Sequence, residues 1–486
     1  MIRTTSIAEN EEIMQRHRSF CGFVFAVSFL GLTAWAGVLN AANADKQPNI
    51  VLIVADDLGW RDLRCQGSTY YQTPNIDRLA SQGLRLMSYY GCHVGAPSYA
   101  AYLTGQYPPR TGIYADGAME EGTPAIPRVL TCPKNQTKLP LDKITLAQVL
   151  RNAGYVTAMF GQWPIGDDGD FHPAKRGFDR AVVTQGSYFS FTTNPEVEIP
   201  QGVYLTDFLT DLSLEFIGQN QSKPFFLYLP HQAVHKPLEG KPIFIEQYFN
   251  AQPDGGQTNR IYGAMISGLD QSVGRIMAKL DQLELSENTI VILTSSDGGV
   301  GGYTPNVPYM FRKYDVTDNF PLRSGYGTLY EGGIRVPFIV RWPANVPENA
   351  ISETPAINVD LFPTLLELAG AKLPDQPLDG VSLASVFRSP ATELDRKSLY
   401  WHFPGYLQGN GIDTRPQGVI RKGDYKLLEF FEDDHIELYN VKKDLSEATN
   451  LAHSMPDKKQ ELLDALRTWR SDLHAPMPKP MKKEQK

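Results

Sequence analysis

Asn49-Ile50-Val51-Leu52-Ile53-Val54-Ala55-Asp56-Asp57-Leu58-Gly59 decides the fold class. From Ile50 to Ala55 the run is wholly apolar and mostly β-branched. A strand with one face in water alternates polar and apolar residues, whereas an unbroken run is buried on both faces, as in a parallel sheet covered by helices. Similar runs recur at residues 224–229, 289–294 and 336–341. Helical patterns lie between them at 73–82, 146–153 and 261–283, the last long enough to pack across a sheet. Alternation of this kind predicts an α/β sandwich, a mixed, mostly parallel central sheet between helices. Ligands in such sheets sit beyond the carboxyl ends of the strands, where Asp56-Asp57 and Ser296-Asp297 fall.

Outward from this body the character changes. At 486 residues the chain exceeds what one core usually fills, which predicts two domains. The main α/β domain is expected over residues 45–385 and a small α+β domain over 386–474, with short strands at 398–403, 416–421 and 425–431 and an amphipathic helix over 456–474. The Lys/Pro-rich tail, 475–486, is expected to be disordered. At the other end Arg16, His17 and Arg18 precede an apolar run over 20–39 that closes on Ala42-Asn43-Ala44. This is the pattern of a secretory signal peptide over residues 1–44, which predicts export to a periplasmic or extracellular location. The run is also about as long as a membrane span, so retention as an N-terminal anchor is the alternative to cleavage.

A net charge of -8 with 21% charged residues describes an ordinary globular chain and argues against a nucleic-acid partner, which calls for a clustered basic surface. Beyond the signal segment the cysteines are Cys65, Cys92 and Cys132. In an oxidising compartment one disulfide and one free thiol is the simplest expectation, with the pair left open. The paired carboxylates Asp56 and Asp57 have two readings, oxygen ligands for a hard cation such as Ca²⁺ or a helix N-cap followed by a turn.

Four ordered segments go further. The opening stretch is followed by Thr73-Pro74-Asn75-Ile76-Asp77-Arg78-Leu79-Ala80, by Leu103-Thr104-Gly105-Gln106-Tyr107-Pro108-Pro109-Arg110-Thr111-Gly112, and by Leu329-Tyr330-Glu331-Gly332-Gly333-Ile334-Arg335-Val336-Pro337. Together they resemble the sulfatase family of the alkaline-phosphatase-like superfamily, and Leu438-Tyr439-Asn440 with Asn450-Leu451 is similar to its C-terminal signature. The resemblance implies a sulfuric ester hydrolase whose Cys-x-Pro-Ser-Arg cysteine is oxidised to formylglycine, which attacks sulfur.

Here the matching segment is Gly95-Ala96-Pro97-Ser98-Tyr99. Gly95 offers nothing to oxidise or to attack with, so no formylglycine is expected, and Tyr99 replaces the arginine that holds the nucleophile. Cys92 as a displaced nucleophile would put Val94 where the proline belongs; Ser98 lies one helical turn past the attacking position. The family's Gly-Lys-Trp-His-Leu-Gly loop reads Gly161-Gln162-Trp163-Pro164-Ile165-Gly166, so Gln162 and Pro164 remove a cation and a histidine. Tyr326 replaces a second lysine. His235 matches a sulfate-contacting histidine, with His231 on the same loop. The family's Thr-Ser-Asp-Asn-Gly reads Thr294-Ser295-Ser296-Asp297-Gly298, which loses one metal ligand in either alignment and leaves Asp56, Asp57 and Asp297 as candidate Ca²⁺ ligands. Glu331 and Arg335 belong to a structural motif, and Asp360 is expected to cap the helix that follows.

Loss of a covalent nucleophile costs on the order of 10⁶-fold in rate. The sequence therefore predicts a catalytically impaired sulfatase relative that binds a sulfated glycan, a sulfate ester or a partner protein in a remodelled cleft. The enzymatic alternative is hydrolysis of a sulfate or phosphate ester by metal-activated water near Asp56, Asp57 and Asp297, helped by His235.

Overall fold

The structure, a computed structural model, describes residues 46–119, 127–302, 305, 316–409 and 412–481. The expected signal segment and the last residues of the tail lie outside the described residues. The described residues from Pro48 onward form one compact unit.

Nine strands build the central sheet: β1 Asn49–Ala55, β2 Leu84–Leu86, β3 Val156–Gly161, β4 Arg180–Gly186, β5 Phe191–Asn194, β6 Phe225–Pro230, β7 Thr289–Ser295, β8 Phe338–Arg341 and β9 Ala350–Ser352. Their spatial order is β9-β2-β8-β7-β1-β6-β3-β4-β5. The pairings β1 with β6 and β7, β3 with β4 and β6, and β9 with β2 are parallel; β8 runs antiparallel to β7 and β2, and β5 to β4. This is the mixed, mostly parallel sheet that the apolar runs predict. Ile50, Leu52 and Val54 face one core, whereas Val51, Ile53 and Ala55 face the other. Both faces of β1 are thus covered, so the run has no polar position to spare.

Register brings the active edge together. Val54 pairs with Pro230 on β6 and with Thr294 on β7, and Ala55 pairs with Ser295. The residues just past these strands, Asp56, His231 and Ser296, therefore emerge at one edge, bound there by Asp56 N to Ala233 O at 2.9 Å and Ser296 N to Ala55 O at 2.9 Å. The helix Arg260–Gln282 packs its buried face, including Met265, Leu269, Val273 and Ile276, on the second core.

The small C-terminal antiparallel domain has strands β10 Ser398–Phe403, β11 Gln417–Lys422, β12 Tyr425–Phe430 and β13 Ile436–Asn440 in that order, backed by the helix Pro456–Asp472. It is tied to the main body through buried charge. Lys426 bridges Glu331 at 3.0 Å and Glu447 at 2.9 Å, while Arg335 reaches Glu331 at 2.8 Å.

Three expectations need correction. Asp360 does not cap the next helix: its carboxylate takes the Ile357 amide at 2.8 Å, the Val381 amide at 3.0 Å and the Arg396 guanidinium, so it ties loops together. The tail is not disordered over residues 475–481. His402 contacts Pro476 O at 2.8 Å and Lys479–Pro480 pairs with Leu130–Thr131, because the backbone of this segment finds a strand edge to bond. Among the described residues Cys65 and Cys92 form no disulfide: Cys65 packs against the second core and Cys92 is held beside Asn358, while Cys132 lies near the Met119 carbonyl.

Candidate active site

Asp57 follows β1 in the left-handed region, at φ 63°. Aspartate tolerates this conformation better than most residues, and it turns the Asp57 amide onto Asp297 Oδ1 at 3.1 Å. Ser296 Oγ donates to Asp56 Oδ1 at 2.7 Å and to Asp297 Oδ1 at 3.0 Å. Asp56, Asp57 and Asp297 thereby form a buried cluster in which one oxygen of each lies within 4.8 Å of the others. Ser296 buttresses it.

The helix Gly95–Thr104 points its first turn at this cluster and is buried along its whole length. Val94 at its N-cap makes no side-chain cap; the Ala96 amide is satisfied instead by Asp116 Oδ1 at 2.5 Å. A Cβ added at Gly95 would lie 3.3 Å from Asp116 Oδ1, 3.4 Å from the Tyr99 ring and 3.5 Å from Asp56 Oδ1, so position 95 faces the cleft directly. The two substitute nucleophiles are accounted for differently. Ser98 Oγ donates to Ser296 O at 2.5 Å and accepts from the Cys92 amide at 2.8 Å and Asn358 Nδ2 at 3.3 Å, which makes it a fully buried clamp. Burial pushes the Cys92 thiol up to about 11, far from thiolate.

Gln162, Trp163 and Pro164 line the same cleft because Gly161 lets β3 turn sharply. Gly161 sits at φ 135°, and a Cβ there would approach Pro230 O to 2.0 Å. The Gln162 amide bonds Pro230 O at 2.9 Å, and its side chain reaches Asp56. His235 and Lys236 enter from the loop after β6, and Tyr326 sets its hydroxyl 3.4 Å from Asp116 Oδ2. The cleft measures about 480 Å³. His231 is elsewhere: fully buried, it bonds Ser272 at 3.1 Å, and burial holds its pKa down at about 3.

Carboxylate charge dominates the cleft. Burial raises Asp57 to about 8, and it raises Asp56 and Asp297 too; neighbouring carboxylates add to the shift at Asp57 and Asp297, and the more exposed Asp116 is raised beside Asp56 as well. Burial pulls His235 down, yet Asp56, Asp57 and Asp116 outweigh it and hold the imidazole above its usual value.

The residues fit a hard cation on one further ground. Asp57 Oδ1 and Asp297 Oδ2 are buried with no hydrogen-bond partner, which is costly for a carboxylate oxygen unless something positive sits against it. Oxygen donors at this density can hold a metal ion. Formylglycine does not fit, since position 95 has no side chain, and no step can pass through it. Asp116 is the residue that sequence reading missed. No spacing links it to Gly95, and only the Asp116-Gly117 turn signal marks its loop.

Comparison with known proteins agrees with this architecture. The sulfatase family profile matches residues 48–371, and that of the N-sulphoglucosamine sulphohydrolase C-terminal region matches 326–472. A sulfatase of Formosa agariphila is 33% identical, with 89% of this chain and 90% of that protein covered. Human arylsulfatase A is 32% identical, with 87% of each covered. The crystal structure of Ps i-CgsB, also solved in complex with k-i-k-neocarrahexaose, superposes with a TM-score of 0.73 at 28% identity over 87% of this chain and 93% of that one. On the profile match and these relatives together, the chain belongs to the sulfatase family.

Proposed function

We propose that this protein is a sulfatase relative that binds carbohydrate in the ancestral cleft, with Ca²⁺ at Asp56, Asp57 and Asp297, and does not turn over sulfate esters by the family route. The observation that carries the reading is Gly95 at the first turn of an intact, buried helix, facing the cleft with no atom to attack sulfur. Around it Tyr99, Gln162, Trp163 and Tyr326 offer hydrogen bonds and aromatic faces that suit a sugar ring, whereas the positive groups that would neutralise a sulfate are reduced to His235 and Lys236. Relatives act on or bind sulfated sugars by name, among them the dog N-acetylgalactosamine-6-sulfatase, 32% identical over 72% of this chain and 67% of that protein. The N-terminal segment of this chain supports export; among the described residues no helix is long and apolar enough to cross a membrane.

The residues of this chain then divide the work. The three aspartates would hold a cation, which would supply a Lewis-acidic point there. Gln162 and Tyr326 orient the ring, and His235 contacts any anionic substituent. A calorimetric titration with a sulfated oligosaccharide and its desulfated counterpart, both in Ca²⁺, tests the reading. It predicts binding of at least the desulfated sugar and no sulfate release on prolonged incubation. Absence of heat with both sugars would remove the binding role.

The enzymatic alternative draws on His235 lying in the cleft beside the aspartates. It requires hydrolysis by water without a covalent intermediate, and sulfate or phosphate release that Asp57→Ala abolishes would establish it.

A further inference from the structure

Asp116 reaches the cleft from the loop after the short helix Pro108–Thr111 and stays exposed there, outside the buried cluster of Asp56, Asp57 and Asp297. Its Oδ1 accepts from the Ala96 amide at 2.5 Å, and its Oδ2 lies 3.4 Å from the Tyr326 hydroxyl. An amide that the start of the helix Gly95–Thr104 could offer to an anion is thereby taken. The space that a side chain at position 95 would fill is bordered by Asp116 Oδ1 at 3.3 Å, Tyr99 Cε2 at 3.4 Å and Asp56 Oδ1 at 3.5 Å. Cε2 is the ring carbon next to the one that bears the hydroxyl. That hydroxyl has no hydrogen-bond partner among the described residues, on a residue only 2% exposed. One small space thus meets a carboxylate that can only accept and a buried hydroxyl that still has a hydrogen to donate.

We propose that this space takes a free hydroxyl of a saccharide, and that Asp116 makes the cleft select a sugar unsulfated at that hydroxyl over its sulfate ester. This rests on the reading above that the cleft binds carbohydrate, and it names the form of the sugar. A hydroxyl both donates and accepts, so it can donate to Asp116 Oδ1 while Tyr99 donates to it. A sulfate group only accepts. At the same point it would find a carboxylate with nothing to donate, and the two like charges would repel. His235 and Lys236, on the loop after β6, remain to meet an anionic group elsewhere on the ligand.

The test titrates the Ca²⁺-loaded full-length protein calorimetrically with oligosaccharides of the chondroitin, carrageenan and fucan types, each unsulfated and with one sulfate placed in turn on each hydroxyl. For the sugar it binds, the wild type is expected to lose at least tenfold in affinity when one particular hydroxyl is sulfated. Asp116→Asn keeps an oxygen for the Ala96 amide and gains a donor, so it is expected to reduce that loss to below threefold. A merely structural role for Asp116 would weaken the sulfated and unsulfated sugars alike. Gly95→Ala puts a methyl group into the space at an ordinary helical position, with a small shift of Asp116, and is expected to weaken the unsulfated sugar at least tenfold while the melting temperature holds. Equal affinity of the wild type for every sulfated form, an unchanged loss in Asp116→Asn, or unchanged affinity in Gly95→Ala would overturn the proposal while leaving carbohydrate binding in place. No heat from any of the sugars would overturn both.

Discussion

Ser296 Oγ lies 2.7 Å from Asp56 Oδ1, a hydroxyl joining the ends of β7 and β1 at the position that one of the two alignments with the family's Thr-Ser-Asp-Asn-Gly gives to an aspartate. The exchange removes one negative charge from a crowded edge and replaces it with a donor. Asp56 is thereby fixed in place, and Asp297 is left to complete the cluster. Ser296→Asp is expected to reintroduce a carboxylate against two others and to lower the melting temperature of the metal-free protein, with the loss recovered on adding Ca²⁺. Thermal melts with and without Ca²⁺ read this directly.

Restoring the nucleophile alone should not restore the reaction. Gly95→Cys asks for a small shift of Asp116, whose Oδ1 would lie 3.3 Å from the new Cβ, and no backbone change, since the residue lies in an ordinary helical turn. Tyr99, Gln162, Pro164 and Tyr326 would remain. One lost transition-state donor costs about 10²–10³-fold, so Gly95→Cys is expected to show no arylsulfatase activity above background. Measurable turnover from that single change would mean that these positions matter less than the geometry indicates.

Ser98 is a structural clamp, and its loss should be felt in stability. Ser98→Ala removes the partner of the Cys92 amide and of the Ser296 carbonyl in a fully buried place, while Asn358 Nδ2 keeps Cys92 Sγ at 3.5 Å. Each unsatisfied group costs about 1–3 kcal/mol, with partial relaxation between them. A total of roughly 3 kcal/mol is expected in denaturant unfolding.

Much of this was legible in the sequence, for a physical reason. Strands buried on both faces must be apolar without a break, so β1, β6 and β7 show themselves as runs, and the carboxylates after β1 mark the ligand edge. Gly95 and Gln162 could be read because they fall in segments whose order is preserved. Asp116 could not be read, because a loop closure brings it to Gly95 and leaves no periodicity behind. His235 stood out from His231 through the family resemblance, not through its own loop pattern; packing sends His231 into the core against Ser272 and His235 into the cleft. The tail misled for a similar reason, since Lys479–Pro480 is polar by composition and ordered by a strand edge distant in sequence.

His402 predicts a pH dependence. Burial lowers its pKa to about 4, against about 6.5 when unfolded. The unfolded chain therefore binds a proton that the folded one refuses, so this contribution to stability is complete above about pH 6.5 and is lost as pH falls toward 4. His402→Gln keeps a donor for Pro476 O and has no proton to take up. Its unfolding free energy is expected to depend on pH less steeply than the wild type between pH 4 and 6.5, by up to about 1.4 kcal/mol per unit. Parallel slopes would mean that His402 titrates normally.

The buried bridge between the domains sets the largest stability effect. Lys426 is fully buried between Glu331 and Glu447. Lys426→Met leaves Glu447 buried without its cation and Glu331 with Arg335 alone, and breaking a buried pair in this way costs about 3–5 kcal/mol. Chemical denaturation of the variant is expected to show that loss with the cleft's ligand affinity unchanged in the molecules that remain folded.

The central claim is that this cleft, faced by a helix that presents only a glycine, leaves sulfate and phosphate esters intact. Hydrolysis of an aryl sulfate and an aryl phosphate by the purified, Ca²⁺-loaded protein, run beside Asp57→Ala, tests it most directly. The account predicts release at the background rate for both proteins. Turnover by the wild type that disappears in Asp57→Ala would contradict it.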